Sequence, residues 1–261
     1  DFVTPWHIRE AATHSLEKGY TMYTSNYGML ELRQELAKYL EHHYGVSYQP
    51  EREILVTVGV SEGLDLAVRA ILNPGDEVII PDPWYVSYPP CVILAGGTPV
   101  FVPMSKQNNF VLKAEDVEPL INKQTKAILI GYPANPTGAV MSREELAGIA
   151  KLAQKYNLLV ISDEIYARLV YGVEHTCFAS LPGVKEQTIL LGGFSKAFAM
   201  TGWRIGYIAA NPQLIEAMLK IHQYTMLCAP TMGQMAGIEA LKSGEDDVAK
   251  MVKEYDRRRR F

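Results

Sequence analysis

The sequence predicts an α/β domain of three layers, αβα, with a mainly parallel seven-stranded sheet covered by helices on both faces. Three observations predict it. Short β-branched runs alternate with amphipathic stretches, and Gly, Pro and Asp punctuate the joins. The runs AILIGY (127–132) and LLVISD (158–163) are apolar without alternation, the pattern of strands buried on both sides. A chain of 261 residues has the length for one large domain, or for one domain and part of another.

The first fifty residues hold a loop, Gly19–Gly28, and a helix, Leu30–His42, with no strand for the sheet. Strand Ile54–Val58 then leads into helix Ser61–Ile71, and Glu77–Pro81 into a helix around Tyr85–Ala95. Pro99–Pro103 reads as a strand, as does Lys126–Tyr132, which precedes helix Arg143–Tyr156. Leu158–Asp163, Thr188–Gly192 and Ile205–Ala210 complete the strands, and Pro212–Met226 and Gly233–Leu241 are helical. In such sheets ligands bind beyond the carboxyl ends of the strands, so the residues just after each run are the informative ones.

Composition narrows the function classes. With 48% hydrophobic and 21% charged residues the chain has an ordinary globular profile. A net charge of −4 gives no nucleic-acid footprint, and Arg257 to Arg260 read as a solvated helix face. Three cysteines, Cys91, Cys177 and Cys228, without a CxxC pair, argue against a disulfide framework or a zinc site and for a reducing, cytoplasmic setting. No run is long and apolar enough for a membrane helix. The chain opens on Asp1 and stops after a charged helical pattern, which reads as a piece of a longer protein.

The chemistry concentrates at the strand ends. In GGFSKAFAMTGWRIGY, Ser195-Lys196 follow a strand and a Gly-Gly pair. A lysine among such small and apolar residues suits a nucleophilic amine; taken alone it reads as a surface lysine. Arg204, beside Trp203, carries a guanidinium fitted to phosphate, or to a plain surface ion pair. In VTVGVSEGLDLAVRAIL, Gly59 permits a tight turn, and the amides of Val60, Ser61 and Glu62 open a helix that favours an anion.

Asp163 ends a buried strand, where a carboxylate needs a cationic partner unless it serves only as a helix cap. Tyr166 and Asn135 stand near the same ends, although Asn135-Pro136-Thr137-Gly138 also suits a plain turn. In PDPWYVSYP, Trp84 and Tyr85 are both candidates to stack on a flat ring.

Together these residues resemble a family. YTSNYGMLELR, PDPWYVSYP, NPTG, SDEIY and SKAFAMTGWRIGY, in that order, are similar to the class I/II aminotransferases of pyridoxal 5′-phosphate (PLP) fold type I, of the aspartate and aromatic kind. The resemblance spans nearly the whole chain. It implies that Lys196 holds PLP as a Schiff base and moves the proton between the substrate Cα and the cofactor. Asp163 is then the partner of the pyridine nitrogen, Tyr166 and Asn135 bond the ring's 3-oxygen, and Val60, Ser61, Glu62, Ser195 and Arg204 surround the phosphate. Tyr85, by its spacing to the following Ser-Tyr-Pro, is the stacking residue. Tyr23 resembles the tyrosine that reaches the phosphate of the other subunit, which implies a homodimer.

The resemblance also implies a cis peptide at Asn135-Pro136, with a second often found before the position of Pro83. It sets a large domain over residues 1–243, with 1–50 packing at the dimer interface. Residues 244–261 then begin a connecting helix to a small domain that would carry the arginine for the substrate carboxylate. One departure is Gly193, where many members carry a phosphate-binding serine.

The activity implied is transfer of an amino group between an amino acid, aspartate or an aromatic one, and a 2-oxo acid such as 2-oxoglutarate. Two alternatives share Lys196, Asp163 and Arg204: a fold type I C–S lyase, and a PLP-binding sensor domain of a transcription regulator. A nicotinamide dehydrogenase fits poorly, because no GxGxxG follows a strand.

Overall fold

The computed structural model describes residues 2–261. Seven strands form one mixed sheet: β1 (Ile54–Thr57), β2 (Glu77–Asp82), β3 (Thr98–Pro103), β4 (Thr125–Gly131), β5 (Leu159–Asp163), β6 (Thr188–Gly193) and β7 (Gly206–Ala209). Their spatial order is β1-β7-β6-β5-β4-β2-β3. Neighbours β3, β2, β4, β5 and β6 run parallel, whereas β7 is antiparallel to both β6 and β1. The reversal of β7 has a functional consequence. Its first residues, and Arg204 just before them, arrive at the edge of the sheet where β4, β5 and β6 end.

Alternate residues of each strand feed different cores, as the two-residue period requires. Val78, Ile80, Leu129, Ile161, Leu191 and Ile208 pack on one face, under α3 (Gly59–Ile71), α4 (Tyr88–Leu94) and α7 (Pro212–Thr225). The opposite face is divided. Val56, Leu190 and Tyr207 meet α1 (Trp6–Glu17), α2 (Leu30–Tyr44) and α8 (Thr231–Ser243). Ile79, Ile128, Ile130 and Val160 meet the short α5 (Ala114–Val117) and α6 (Arg143–Tyr156). Helix α9 (Glu245–Arg259) closes the chain.

The predicted elements form with shifts of one to three residues at most ends. Helix α6 matches the prediction at both ends, and Ser142 and Glu145 form a capping box at its start. Helix α3 starts two residues before the expected Ser61. The helix expected around Tyr85 begins only at Tyr88, after the cis bond at Asp82-Pro83. Asn135-Pro136 is cis as expected, and Tyr132-Pro133 is cis as well.

Helix α1 was not predicted. Its buried residues are Ile8, Ala12 and Ser15, and with a single large apolar side chain among them they leave no apolar stripe to read. The N-terminal segment nonetheless reaches the sheet's functional end. Buried Thr4 donates its hydroxyl to the Ala199 carbonyl at 2.6 Å and accepts from the Trp203 indole N–H at 3.0 Å. That pins a loop in which Ala199 and Arg204 both take left-handed backbone angles, φ 53° and 54°.

Candidate active site

A cavity of about 180 Å³ opens at the carboxyl ends of β4, β5 and β6. Its walls carry Val60, Ser61, Tyr85, Asn135, Asp163, Tyr166, Ser195, Lys196 and Arg204, with Leu64, Tyr88, Pro133, Ile165 and Thr201 between them. It adjoins a wider space of about 800 Å³, which shares Pro133, Asn135, Tyr166, Ser195, Lys196 and Thr201 and adds the apolar Val140, Leu169 and Val173. Lys196 therefore stands where the two spaces meet.

Lys196 is half-buried in a segment whose Phe194, Ala197 and Phe198 are buried, and its Nζ lies 5.5 Å from the Tyr166 ring centroid. Asp163 is 7% exposed. Its Oδ1 accepts the Ile165 N–H at 3.2 Å, and its Oδ2 accepts the Tyr88 hydroxyl at 3.0 Å. Burial pushes the carboxyl up to about 6, against the pull of both hydrogen bonds and of the Lys196 charge. Both donors are neutral, so the carboxylate's charge is left for something in the cavity.

The neighbouring Glu164 faces away from the cavity. It accepts from the Ser162 hydroxyl at 3.0 Å and the Phe178 N–H at 2.8 Å, and it meets His175 Nε2 at 2.7 Å. One carboxylate of the pair thus anchors the loop while the other faces the site.

The anion end is built from two strand ends pressed together. Gly59 has φ +74°, and a Cβ there would strike the Arg204 guanidinium; a Cβ on Gly206 would lie 2.7 Å from the Val60 nitrogen. These two glycines let the start of α3 touch the start of β7, so Arg204 lies beside the amides of the first helical turn. Arg204 also donates from one Nη to the Thr201 carbonyl at 3.0 Å.

The side chains of two further expected residues do not line this cavity, as an amide contact from Glu62 and a reach to a neighbouring subunit from Tyr23 both allow. The Glu62 side chain turns away from the cavity: it accepts the Val58 N–H at 2.5 Å and meets the fully buried His222 Nδ1 at 2.6 Å. Tyr23 is 81% exposed, on a loop held by the buried Gln234 amide, which accepts from Met29 N–H at 2.7 Å and donates to Thr24 Oγ1 at 3.1 Å. The aromatic pair also separates. Tyr85 lines the cavity, whereas Trp84 stacks on Phe101 with centroids 4.3 Å apart.

The family profile "Aminotransferase class I and II" matches residues 1–261. The chain belongs to the class I and II aminotransferases.

A Bacillus subtilis protein named as an aminotransferase is 55% identical over 259 residues, 99% of this chain and 67% of its own. An aspartate aminotransferase of Pyrococcus abyssi is 44% identical over 264 residues, covering 100% of this chain and 68% of its own. The solved structure of an aromatic aminotransferase from Pyrococcus horikoshii superposes with a TM-score of 0.98 at 44% identity, over 100% of this chain and 70% of that one. This aminotransferase chain thus spans about two thirds of the length of these relatives.

Class I and II aminotransferases depend on PLP, and PLP is the cofactor of this chain. The cavity suits it chemically. A helix start with Arg204 matches a phosphate, Asp163 with its neutral donors matches a pyridinium, and Lys196 supplies the amine. Among the polar residues that line the cavity, Tyr88 and Thr201 escaped the sequence reading. Tyr88 sits in PDPWYVSYP three places after Tyr85, and that helical spacing was the one signal available for it.

Proposed function

We propose that this aminotransferase moves an amino group between an amino acid, aspartate or an aromatic one, and a 2-oxo acid such as 2-oxoglutarate, with Lys196, Asp163 and Tyr166 as its catalytic residues. The observation that carries the reading is the shared cavity, in which an amine, a buried carboxylate with only neutral donors, and an arginine beside a helix start all meet. When bound, PLP supplies a carbonyl carbon that takes up amines and a ring that withdraws electrons.

The chain's residues then divide the work. The α3 amides of Val60, Ser61 and Glu62, with Ser195 and Arg204, hold the phosphate. Tyr85 covers the ring, and Asn135 and Tyr166 hold its 3-oxygen. Asp163 keeps a proton on the ring nitrogen, because a buried carboxylate gains more from a cation than from a neutral ring. Lys196 Nζ anchors the cofactor and, once released by the incoming amine, takes and returns the proton at the substrate Cα. Its place at the mouth between the two spaces leaves the wider one for the substrate side chain.

We place the PLP-binding domain at residues 1–243 and the start of the connecting helix at 244–261, with the change at Gly244, where α8 meets α9. A homodimer with Tyr23 reaching the neighbouring site is part of this reading. Its support is an exposed apolar group: Tyr20, Met22 and Tyr23 on one segment, and Tyr224 and Met226 at the end of α7. The two segments touch through Asn26 and Gln223. Three free cysteines fit a cytoplasmic setting, and no helix among the described residues is long and apolar enough to cross a membrane.

The deciding experiment is the visible absorbance of the purified full-length protein with PLP. A yellow band that disappears in Lys196→Ala, and that borohydride fixes onto the Lys196 peptide, is the expected result. A folded protein that is colourless once unbound PLP has been removed overturns the assignment of Lys196. Mixing aspartate, an aromatic amino acid or neither with the yellow protein then identifies the donor, by which one bleaches the band.

A further inference from the structure

Tyr88 is the residue whose place in the site nothing so far explains. It is 6% exposed, and its hydroxyl donates to Asp163 Oδ2 at 3.0 Å across 75 positions of sequence. Its ring meets Tyr85 edge to face, with centroids 5.6 Å apart and planes at 77°. The hydroxyl occupies a notch at the end of β4: a Cβ on Gly131 would overlap it and would lie 3.2 Å from the ring's Cζ. One phenol thus touches the carboxylate beneath the cavity, the aromatic wall of the cavity and the strand between them.

Resting on the PLP reading above, we infer that Tyr88 is a positioning residue that holds Asp163 as an ionised carboxylate aimed at the cofactor's ring nitrogen, in a socket made by the missing side chain of Gly131. The physical argument starts from donors. A carboxylate in a buried site is kept charged by the hydrogen bonds it accepts, and Asp163 accepts two. The Ile165 amide is a local contact that any chain of this shape makes. The phenol is the tertiary one. Burial raises the Tyr88 phenol well above its usual range, so it stays a donor at every pH in which the protein works. With Oδ2 accepting the phenol's hydrogen, the ionised form is favoured over the protonated one and the carboxylate is fixed in one rotation. Tyr85 is braced by the same ring, so a shift of Tyr88 reaches both the edge and the face of the bound cofactor.

The test uses the full-length protein with Tyr88→Phe, which keeps the ring and removes the donor, and Gly131→Ala, which keeps the donor and displaces it. The first readout is PLP binding followed by absorbance across pH. Loss of one charge-assisted hydrogen bond corresponds to about a ten-fold weaker PLP dissociation constant and an upward move of about one pH unit in the acid limb of binding, since a less acidic carboxyl is neutral over more of that range. Gly131→Ala is expected to give the same shift, and to add little to Tyr88→Phe, which lacks the displaced hydroxyl.

The second readout is the pH dependence of urea unfolding in protein freed of PLP, comparing each variant with and without Asp163→Asn. The step that depends on Asp163 moves up by about one unit in Tyr88→Phe. An acid limb unchanged in Tyr88→Phe, or an Asp163-dependent step that stays in place, overturns the inference. If wild-type protein binds no PLP, the PLP reading falls. The second readout then still decides whether Tyr88 governs Asp163.

Discussion

Replacing Asp163 with asparagine is expected to stabilise the PLP-free protein at neutral pH and to abolish the site's ability to hold a ring cation. Asp163 ionises at about 6 in the folded chain against an ordinary 3.8, because burial penalises its charge. Two units correspond to about 3 kcal/mol, at 1.36 kcal/mol per unit. A carboxyl raised in the folded state leaves stability intact below 3.8, and stability falls as pH climbs through 6. Linkage with these two values makes the penalty about 1 kcal/mol at pH 4.5 and about 3 kcal/mol at pH 8.

Asparagine carries no such penalty. Against the neutral carboxyl it offers one accepting oxygen in place of two, and the lost hydrogen bond costs about 1 kcal/mol at every pH. Asp163→Asn is therefore near neutral at pH 4.5 and about 2 kcal/mol more stable than wild type at pH 8. Urea midpoints of both proteins, freed of PLP and measured from pH 4.5 to 8, check this. A difference that stays flat with pH, or wild type the more stable at pH 8, would falsify the view that Asp163 is a charge waiting for a cation. With PLP bound the order reverses, since the ring cation then removes the penalty in wild type alone.

Arg204→Ala removes the guanidinium at the α3 start and is expected to weaken PLP binding by about ten- to a hundred-fold with little change in urea midpoint, since hydrogen bonds to charged groups are worth roughly 1.5–3 kcal/mol; isothermal titration with PLP reads both this and the milder Arg204→Lys. Gly59→Ala forces a left-handed angle on alanine and pushes its Cβ onto Arg204, so a loss of about 2 kcal/mol in unfolding free energy is expected together with weaker PLP binding. His7 joins α1 to Glu239 at 2.7 Å and Asp247 at 3.0 Å. Burial opposes its charge, but the two carboxylates outweigh that and raise its pKa above 6.5. The tie is thus fully present below pH 6.5 and is lost as pH rises through the higher folded value. His7→Ala should lower the urea midpoint at pH 5.5 and leave it nearly unchanged at pH 8.5; an equal loss at both refutes the ionic tie.

The sequence alone determined the layered α/β fold and the strand ends that carry Ser61, Asn135, Asp163 and Lys196. Each rests on a local rule: buried strands read as unbroken apolar runs, and ligands gather where those runs stop. Helix α1 was invisible because Ala12 and Ser15 bury a face that no hydrophobic stripe announces. Contacts between distant positions were likewise out of reach. Glu62 was read for its backbone amide alone, and nothing local shows that its side chain pairs with His222, 160 positions away. Trp84 and Tyr85 are adjacent and chemically alike, and only packing sends one against Phe101 and the other into the cavity.

Tertiary structure also decided the direction of β7, and with it the arrival of Arg204 beside α3. It decided the meeting of Tyr88 with Asp163 in the gap left by Gly131. The reason is the same in both cases. Propensity and periodicity act over one helical turn or one strand, whereas the environment that sets a carboxyl's charge is made by side chains that only folding brings within 3 Å or so of it.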